Sequence, residues 1–433
     1  MTGPVEAAVD RKNILDWLGS LDLEAPISSN QPSVNVPFQR WFRFKEAYSP
    51  KLVLDVVDQL DELPSHVFDP FGGCGTSAIT SQFLGIPSTV VEVNPFLADL
   101  TESKLCSYHV EKLKKYLSKI QYETLADIEP SLKVDSFPKT FCEPGRSGKW
   151  LYNKSSFKRI LQYREAIERI CDEKYRRFFT IILGSILVPI SNIFISGKGR
   201  KYRQNWNSRQ KSAIDVEQAF NEKAQQAISD VQKHSTKLEQ YEILRGSCLD
   251  HAKNIDGFEL SIFSPPYPNS FDYTDVYNVE LWMLGYFKSN DSCKELRAKT
   301  LRSHVQVNRS YEVNFDIPKA LDKVITGLKN IRNELWNKDI PEMVLAYFDD
   351  LFQLLTTMRG KISENGNIVI VVGDSAYKSI RIPVTTLLCE LAQQAGFVVH
   401  ENKVLRKLRT SPQQGGQASL DESMIWLKPE LYD

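Results

Sequence analysis

The first clean alternation of apolar and polar positions is an amphipathic run over residues 50–63, which predicts a helix. Pro50 suits its first turn, where the missing N–H is not needed, and Ser49 stands where a cap belongs. A short strand over 65–68 follows, then Asp69-Pro70-Phe71-Gly72-Gly73-Cys74-Gly75-Thr76, then a helical run over 77–84. A second strand, 88–91, ends at Glu92 before Val93-Asn94-Pro95. Between Leu105 and about Tyr241 the pattern becomes long helical runs of mixed charge, over 109–126, 155–190 and 214–240. Strand patterns return at 242–245, 260–263, 367–372, 397–400 and 424–427, with helical runs at 275–287, 343–363 and 383–395. Strands alternating with helices predict an α/β fold, with a mainly parallel twisted sheet covered on both faces. The change of pattern divides the chain into a first half (1–104), a large, mostly helical insertion (105–240) and a second half (241–433).

The remaining composition narrows this picture. Residues 178–195 carry no charge over nearly a membrane span, but Gly184, Pro189, Ser191 and Asn192 interrupt them, so a buried helix ending near Pro189 is expected. The 54 Lys and Arg balance the 54 Asp and Glu, so any attraction for a polyanion must come from local patches. Seven scattered cysteines, never in a CxxC pair, point away from a disulfide framework or a zinc site and toward a reducing compartment. The N-terminal residues lack the basic-then-apolar profile of a secretion leader, so a cytoplasmic location is expected, with no membrane partner.

Three stretches carry candidate chemistry. Strand, glycine-rich turn, helix is the arrangement that brings backbone N–H groups close to a nucleotide-like ligand. The spacing of Gly72, Gly73 and Gly75 is neither GxGxxG nor a phosphate loop, because no Lys-Ser/Thr follows Gly75. Glu92, ending the second strand, stands where an acid accepts hydrogen bonds from both ribose hydroxyls. The apolar strand 260–263 then stops at Ser264-Pro265-Pro266-Tyr267, where two prolines forbid both helix and continued pairing. The resulting stiff turn fixes a hydroxyl, a carbonyl and an aromatic ring at a strand end, where open α/β sheets place their chemistry. Finally, residues 196–211 hold Lys198, Arg200, Lys201, Arg203, Arg209 and Lys211 without an acid, with Tyr202 and Trp206 among them. Basic residues interleaved with aromatics suit phosphate contact plus stacking, and Gly197 and Gly199 predict a loop there.

The series DPFGGCGT, VEVNP and SPPY resembles the S-adenosylmethionine-dependent amino-methyltransferases of DNA. The resemblance implies a Rossmann-like methyltransferase fold. It implies that Asp69, Pro70, Phe71, Gly72, Gly73, Gly75 and Thr76 hold the methionine part of S-adenosylmethionine, and that Glu92, with Val93 and Asn94, holds its ribose. The segment RWFRFKEAYSP is similar to the family's N-terminal cofactor motif and implies a role for Phe44. Family members often carry an acid after the glycine that ends the next strand. Here Ser247 takes that place beside the cofactor's adenine, and Asp250 follows three residues later.

A serine before PPY is similar to the N4-cytosine branch. The implied function is transfer of a methyl group to the exocyclic N4 of a flipped-out cytosine in duplex DNA, by direct in-line attack. Ser264, Pro265, Pro266 and Tyr267 would be the catalytic turn: the Ser264 hydroxyl and Pro265 carbonyl accept from the amine, and Tyr267 stacks the base. No cysteine nucleophile is expected, and no Pro-Cys pair of the C5-cytosine enzymes occurs, so Cys74 is read as a packing residue. An N6-adenine enzyme using the same turn, or an RNA methyltransferase or nucleic-acid-binding protein on the same fold, are the alternatives. The insertion, with Lys198, Arg200, Lys201, Tyr202, Arg203 and Trp206, is expected to contact DNA, and a cognate restriction or defence protein fits such enzymes. Residues 291–311, with Arg297, Lys299, Arg302, His304 and Arg309, are either a second DNA-facing loop or plain surface. Asp374 at a strand end is read as a structural turn acid.

Overall fold

A computed structural model describes residues 11–196, 199–208, 210–234, 240–409 and 419–431. Seven strands form the main sheet: β1 Val67–Asp69, β2 Ser88–Glu92, β3 Tyr241–Arg245, β4 Phe258–Phe263, β5 Ile362–Gly373, β6 Phe397–Arg409 and β7 Ser419–Pro429. Their spatial order is β6-β7-β5-β4-β1-β2-β3. Pairs β1–β2, β1–β4, β2–β3 and β4–β5 are parallel, whereas β7 runs antiparallel to both β5 and β6. This is the Rossmann-like α/β fold. The chain winds outward from β1 through β2 to β3, then returns to β4 on the other side of β1. The strand order therefore reverses between β1 and β4, and a crevice opens at their carboxyl ends.

Alternation along the strands explains the two cores. Val67, Val90, Leu260, Ile262, Val369 and Val371 face one hydrophobic cluster, and Phe68, Val91, Phe263, Ile368, Ile370 and Val372 face the other. The first cluster is covered by the N-terminal segment and the helices of the insertion, Val110–Leu125, Lys154–Glu168, Glu173–Leu187 and Ala213–Lys233. The second is covered by helices Lys319–Asn330, Ile340–Arg359 and Val384–Gln394. The uncharged stretch forms the buried part of helix Glu173–Leu187, which ends ahead of Pro189. Among the described residues no helix is long and apolar enough to cross a membrane, and no cluster of metal-ligating side chains forms.

Several expected elements differ in detail. The helix after Ser49 spans only Pro50–Val57, with the Ser49 hydroxyl accepting from the Lys51 N–H. The run over 155–190 is two helices, broken after Glu168, where neither glycine nor proline marks the break in sequence. The basic stretch is not an open loop: Ile193–Ser196 pairs antiparallel with Gly199–Tyr202 as a hairpin. The strand expected at 397–400 runs on to Arg409 as β6, because an edge strand tolerates basic residues such as Arg406 and Lys407 on its ladder.

Helix Ala213–Lys233 is fastened to the N-terminal segment through the carboxylate of Asp230. Asp230, with its side chain wholly buried, accepts from the Phe38 N–H at 3.3 Å, Trp41 Nε1 at 3.0 Å and the Arg40 guanidinium. Asp230→Ala would leave a half-buried guanidinium and two N–H donors without this acceptor. Its expected cost is about 3–5 kcal/mol in urea denaturation, the range for breaking a buried ion pair from one side. A loss below about 1 kcal/mol would contradict that role.

Candidate active site at the strand crossover

The turn after β1 is held so tightly that its sequence has little freedom. The Gly72 N–H donates to the Val91 carbonyl at 2.9 Å, pulling the turn against β2. A Cβ on Gly72 would lie 2.0 Å from Val90 Cγ1, so no other residue fits without displacing the buried Val90 side chain. Asp69 anchors the same turn from below, accepting from the Phe71 N–H at 2.9 Å and from the Ser77 hydroxyl. Burial pushes the Asp69 carboxyl up to about 6. Two residues that the sequence did not single out complete the support, both on helix Pro95–Leu105. The wholly buried Lys104 donates to the Cys74 carbonyl at 2.6 Å, and the Thr101 hydroxyl to the Gly73 carbonyl at 3.2 Å. Burial pushes the Lys104 ammonium down. Their only sequence signal is a lysine and a threonine in the helix that follows VEVNP.

Glu92 closes the other side of this cradle. Its two carboxylate oxygens accept from the Gly73 and Asn94 N–H groups, each at 2.7 Å. Burial outweighs these donors and pushes the carboxyl up to about 7. Asn94 in turn caps the next helix through the Phe96 N–H at 3.0 Å. Phe44 stacks on Tyr277, with ring centres 5.6 Å apart and planes 6° from parallel, and forms a wall over Gly73. At the end of β3, Ser247 reaches the same cavity, whereas Asp250 is exposed and does not line it.

Across the cavity, the chain leaves β4 at Phe263 and turns through Ser264, Pro265, Pro266 and Tyr267. The Tyr267 hydroxyl donates to Glu422 Oε1 at 2.9 Å. A single cavity of about 420 Å³ is lined by this turn together with Phe44, Asp69, Pro70, Phe71, Gly72, Gly73, Thr76, Glu92, Val93, Asn94 and Ser247. Gly75 does not line it and sits at the start of helix Thr76–Leu84.

The basic segments sort differently. Lys198 and Arg209 lie outside the described residues. Arg200 pairs with Asp275 at 3.6 Å, and Arg203 is spent holding the Ser191 and Val188 carbonyls at 3.1 and 3.2 Å. Trp206 packs edge-on against Trp150 and beside Tyr202, so both aromatics serve the hairpin's own packing, while Lys201 is exposed. Residues 291–311 begin as helix Asn290–Lys299, with Lys299 exposed, and their other basic side chains are largely engaged within the protein. Arg297 pairs with Asp272 at 2.6 Å, and Arg302 with Asp349 and Asp350 at 2.5 and 2.6 Å. Arg309 donates to the Thr300 carbonyl at 2.8 Å, and His304 is buried with its pKa pushed down to about 3 by that burial. Sequence spacing hid these partners because they lie on other elements. Thr300, Ser303 and His304 instead wall the cavity, as does Asp374, whose carboxylate is held by Arg381 at 2.7 Å and the Thr385 N–H at 3.3 Å.

A glycine cradle, a strand-end acid and a proline turn thus share one cavity at the crossover of a Rossmann-like sheet. Comparison with known proteins finds similarity to Type II methyltransferases. The Type II methyltransferase M.BsoBI of Geobacillus stearothermophilus is 24% identical over 461 residues, covering 93% of this chain and 87% of its own. The Type II methyltransferase M.AvaI of a Nostoc species is 24% identical over 447 residues, covering 94% and 90%. M.MjaII of Methanocaldococcus jannaschii, also a Type II methyltransferase, is 28% identical over 136 residues, or 31% of this chain and 26% of its own. The resemblance read from the motifs thus extends over nearly the whole chain. No protein-family model matches it. The solved structure of TrmN from Thermus thermophilus aligns with 88% of this chain and 48% of its own, about half its length. The two are 9% identical, with a TM-score of 0.28.

The raised carboxyls make stability depend on pH. Asp69 and Glu92 have ordinary values of 3.8 and 4.5 and are held near 6 and 7 when folded, so the folded protein keeps protons that the unfolded chain has released. Their contribution is full below about pH 4 and is lost as pH rises through about 7. Glu92→Gln is expected to flatten this decline, with urea midpoints at pH 5 and pH 8 closer together than in the unaltered protein. An unchanged decline would show that Glu92 is not the strained group.

Proposed function

We propose that this protein moves a methyl group from S-adenosylmethionine to the exocyclic N4 of a cytosine turned out of duplex DNA. The observation that carries the reading is the single cavity onto which the glycine turn, Glu92 and the Ser264–Tyr267 turn all face. The residues suit the cofactor: the missing Cβ of Gly72 lets the turn lie against β2 along the cavity, and Glu92 offers a buried acceptor for ribose hydroxyls. S-adenosylmethionine supplies, when bound, an electrophilic methyl group on a sulfonium centre.

The exocyclic amine is a poor nucleophile because its lone pair is delocalised into the ring. Acceptors aimed at its N–H hydrogens draw the nitrogen toward a tetrahedral shape and stabilise the positive charge that develops during transfer. The Ser264 hydroxyl and Pro265 carbonyl have that chemistry, and Tyr267 offers a face for the unstacked base. Holding amine and methyl in line then supplies much of the rate. Serine at the head of the turn favours cytosine; N6 of adenine is the second reading, because the same acceptors serve either amine.

The division of labour follows the chain: residues 1–104 bind the cofactor, 241–433 carry the catalytic turn, and the insertion 105–240 meets the DNA. The hairpin of the insertion sits at the cavity rim, since Lys45 on the cavity wall donates to the Ile195 carbonyl at 2.8 Å and Arg200 pairs with Asp275. The Type II class of the relatives supports a role in modification beside a restriction enzyme that reads the same site.

Two experiments test this reading. With duplex DNA and labelled S-adenosylmethionine, Ser264→Ala should lower transfer by roughly 100-fold while calorimetric cofactor affinity holds. Glu92→Ala should weaken cofactor binding itself by roughly tenfold or more. The reverse pattern would undo the assignment of the two halves. Separately, Lys201→Ala should lower the salt slope of DNA binding by about 1, whereas an unchanged slope would return the hairpin to plain surface.

A further inference from the structure

We propose that Glu422, paired with Arg406, is a positioning residue that fixes the plane of the Tyr267 ring for methyl transfer. The proposal rests on the reading of Tyr267 as the surface on which the flipped base stacks. Glu422 lies on β7, paired across the ladder with Arg406 of β6 on one side and Gly373 of β5 on the other. Its side chain is only 4% exposed. Four donor groups converge on it: the Tyr267 hydroxyl at 2.9 Å, the Ser28 hydroxyl at 2.5 Å, and the Arg406 guanidinium through both Nε and, at 3.1 Å, Nη2. Tyr267, Ser28, Arg406 and Glu422 all line the cavity.

The Tyr267 ring is therefore held at both ends. Pro265 and Pro266 stiffen the backbone before it, and Glu422 holds the phenol oxygen at its tip. Between them, Gly373 makes room for the ring, since a Cβ there would stand 2.8 Å from Tyr267 Cε2. Stability alone gives no reason for this arrangement, because an apolar pair of similar volume often serves a buried position as well as an ion pair does. What an apolar pair lacks is a directional acceptor for the phenol. The network also crosses the cavity: Ser28 belongs to the segment in which the Asn30 amide donates to the Phe44 carbonyl, on the wall assigned to the cofactor.

The test compares Tyr267→Phe, the apolar pair Arg406→Met with Glu422→Leu, and all three together. It uses duplex DNA, labelled S-adenosylmethionine, and a duplex with 2-aminopurine at the target base. The apolar pair should melt near the unaltered protein and bind S-adenosylmethionine normally, yet lose roughly 10- to 100-fold in kcat with little change in KM for DNA. Tyr267→Phe should match it, and the triple variant should be no worse than either, because all remove the same link. The 2-aminopurine signal should be brighter in each variant than in the unaltered protein, as stacking on the ring loosens. An apolar pair with full kcat, or losses that multiply in the triple variant, would overturn the positioning role. Should the apolar pair not fold, Tyr267→Phe decides alone, and an unaltered kcat would overturn the proposal. An unaltered protein that methylates neither strand would instead sink the reading of function itself.

Discussion

The structure depends on one close approach, that of Gly72 to β2. Its N–H bonds the Val91 carbonyl at 2.9 Å, and there is no room between it and Val90 for a side chain. That contact sets the path of the turn from β1 into helix Thr76–Leu84 and delivers the Gly73 N–H to Glu92 at 2.7 Å. The crossover of strand order between β1 and β4 then brings the Ser264–Tyr267 turn to face it. Residues separated by nearly two hundred positions in sequence thereby share one cavity.

The site is costly to build, and its costs are visible as buried charge. Asp69, Glu92 and Lys104 are all buried within the cradle, and burial pushes the two acids up and the lysine down. Each is offset by directed hydrogen bonds to backbone and neutral side chains rather than by an opposite charge. Such a cradle keeps acceptors in place without depending on a flexible ion pair. Glu422 and Arg406 follow the other strategy, a full ion pair across neighbouring strands. The contrast suits their different tasks: one wall shapes a pocket, whereas the other orients a ring.

Much of this was legible in the chain because glycine and proline punctuate it where the backbone has no alternative. Gly72, Pro265 and Pro266 mark the two turns that the fold brings to one cavity, so both turns could be located before any fold was known. The strands were legible for a related reason, since residues such as Val369 and Val371 on one face and Ile368 and Ile370 on the other are all apolar. Lys104 was not legible, because a lysine in a helix ordinarily faces water and only the tertiary fold turns it under the Cys74 carbonyl. Glu422 and Arg406 were hidden by register: nothing in either strand announces that the two are opposite each other and beneath Tyr267. The pairing of the arginines between 297 and 309 was hidden for the same reason, as the carboxylates that claim Arg297 and Arg302 lie on other elements. The hairpin after Ile193 was misread because glycines signal a tight strand reversal as readily as an open loop.

The central claim is that the cavity brings a methyl donor to the amine of an extruded base. It is tested most directly by incubating the protein with duplex DNA and labelled S-adenosylmethionine, digesting the DNA to nucleosides, and identifying the labelled species by mass spectrometry. The account predicts N4-methylcytosine. N6-methyladenine would keep the mechanism while overturning Ser264 as a guide to the base, and DNA without label, with the cofactor still bound, would contradict the account.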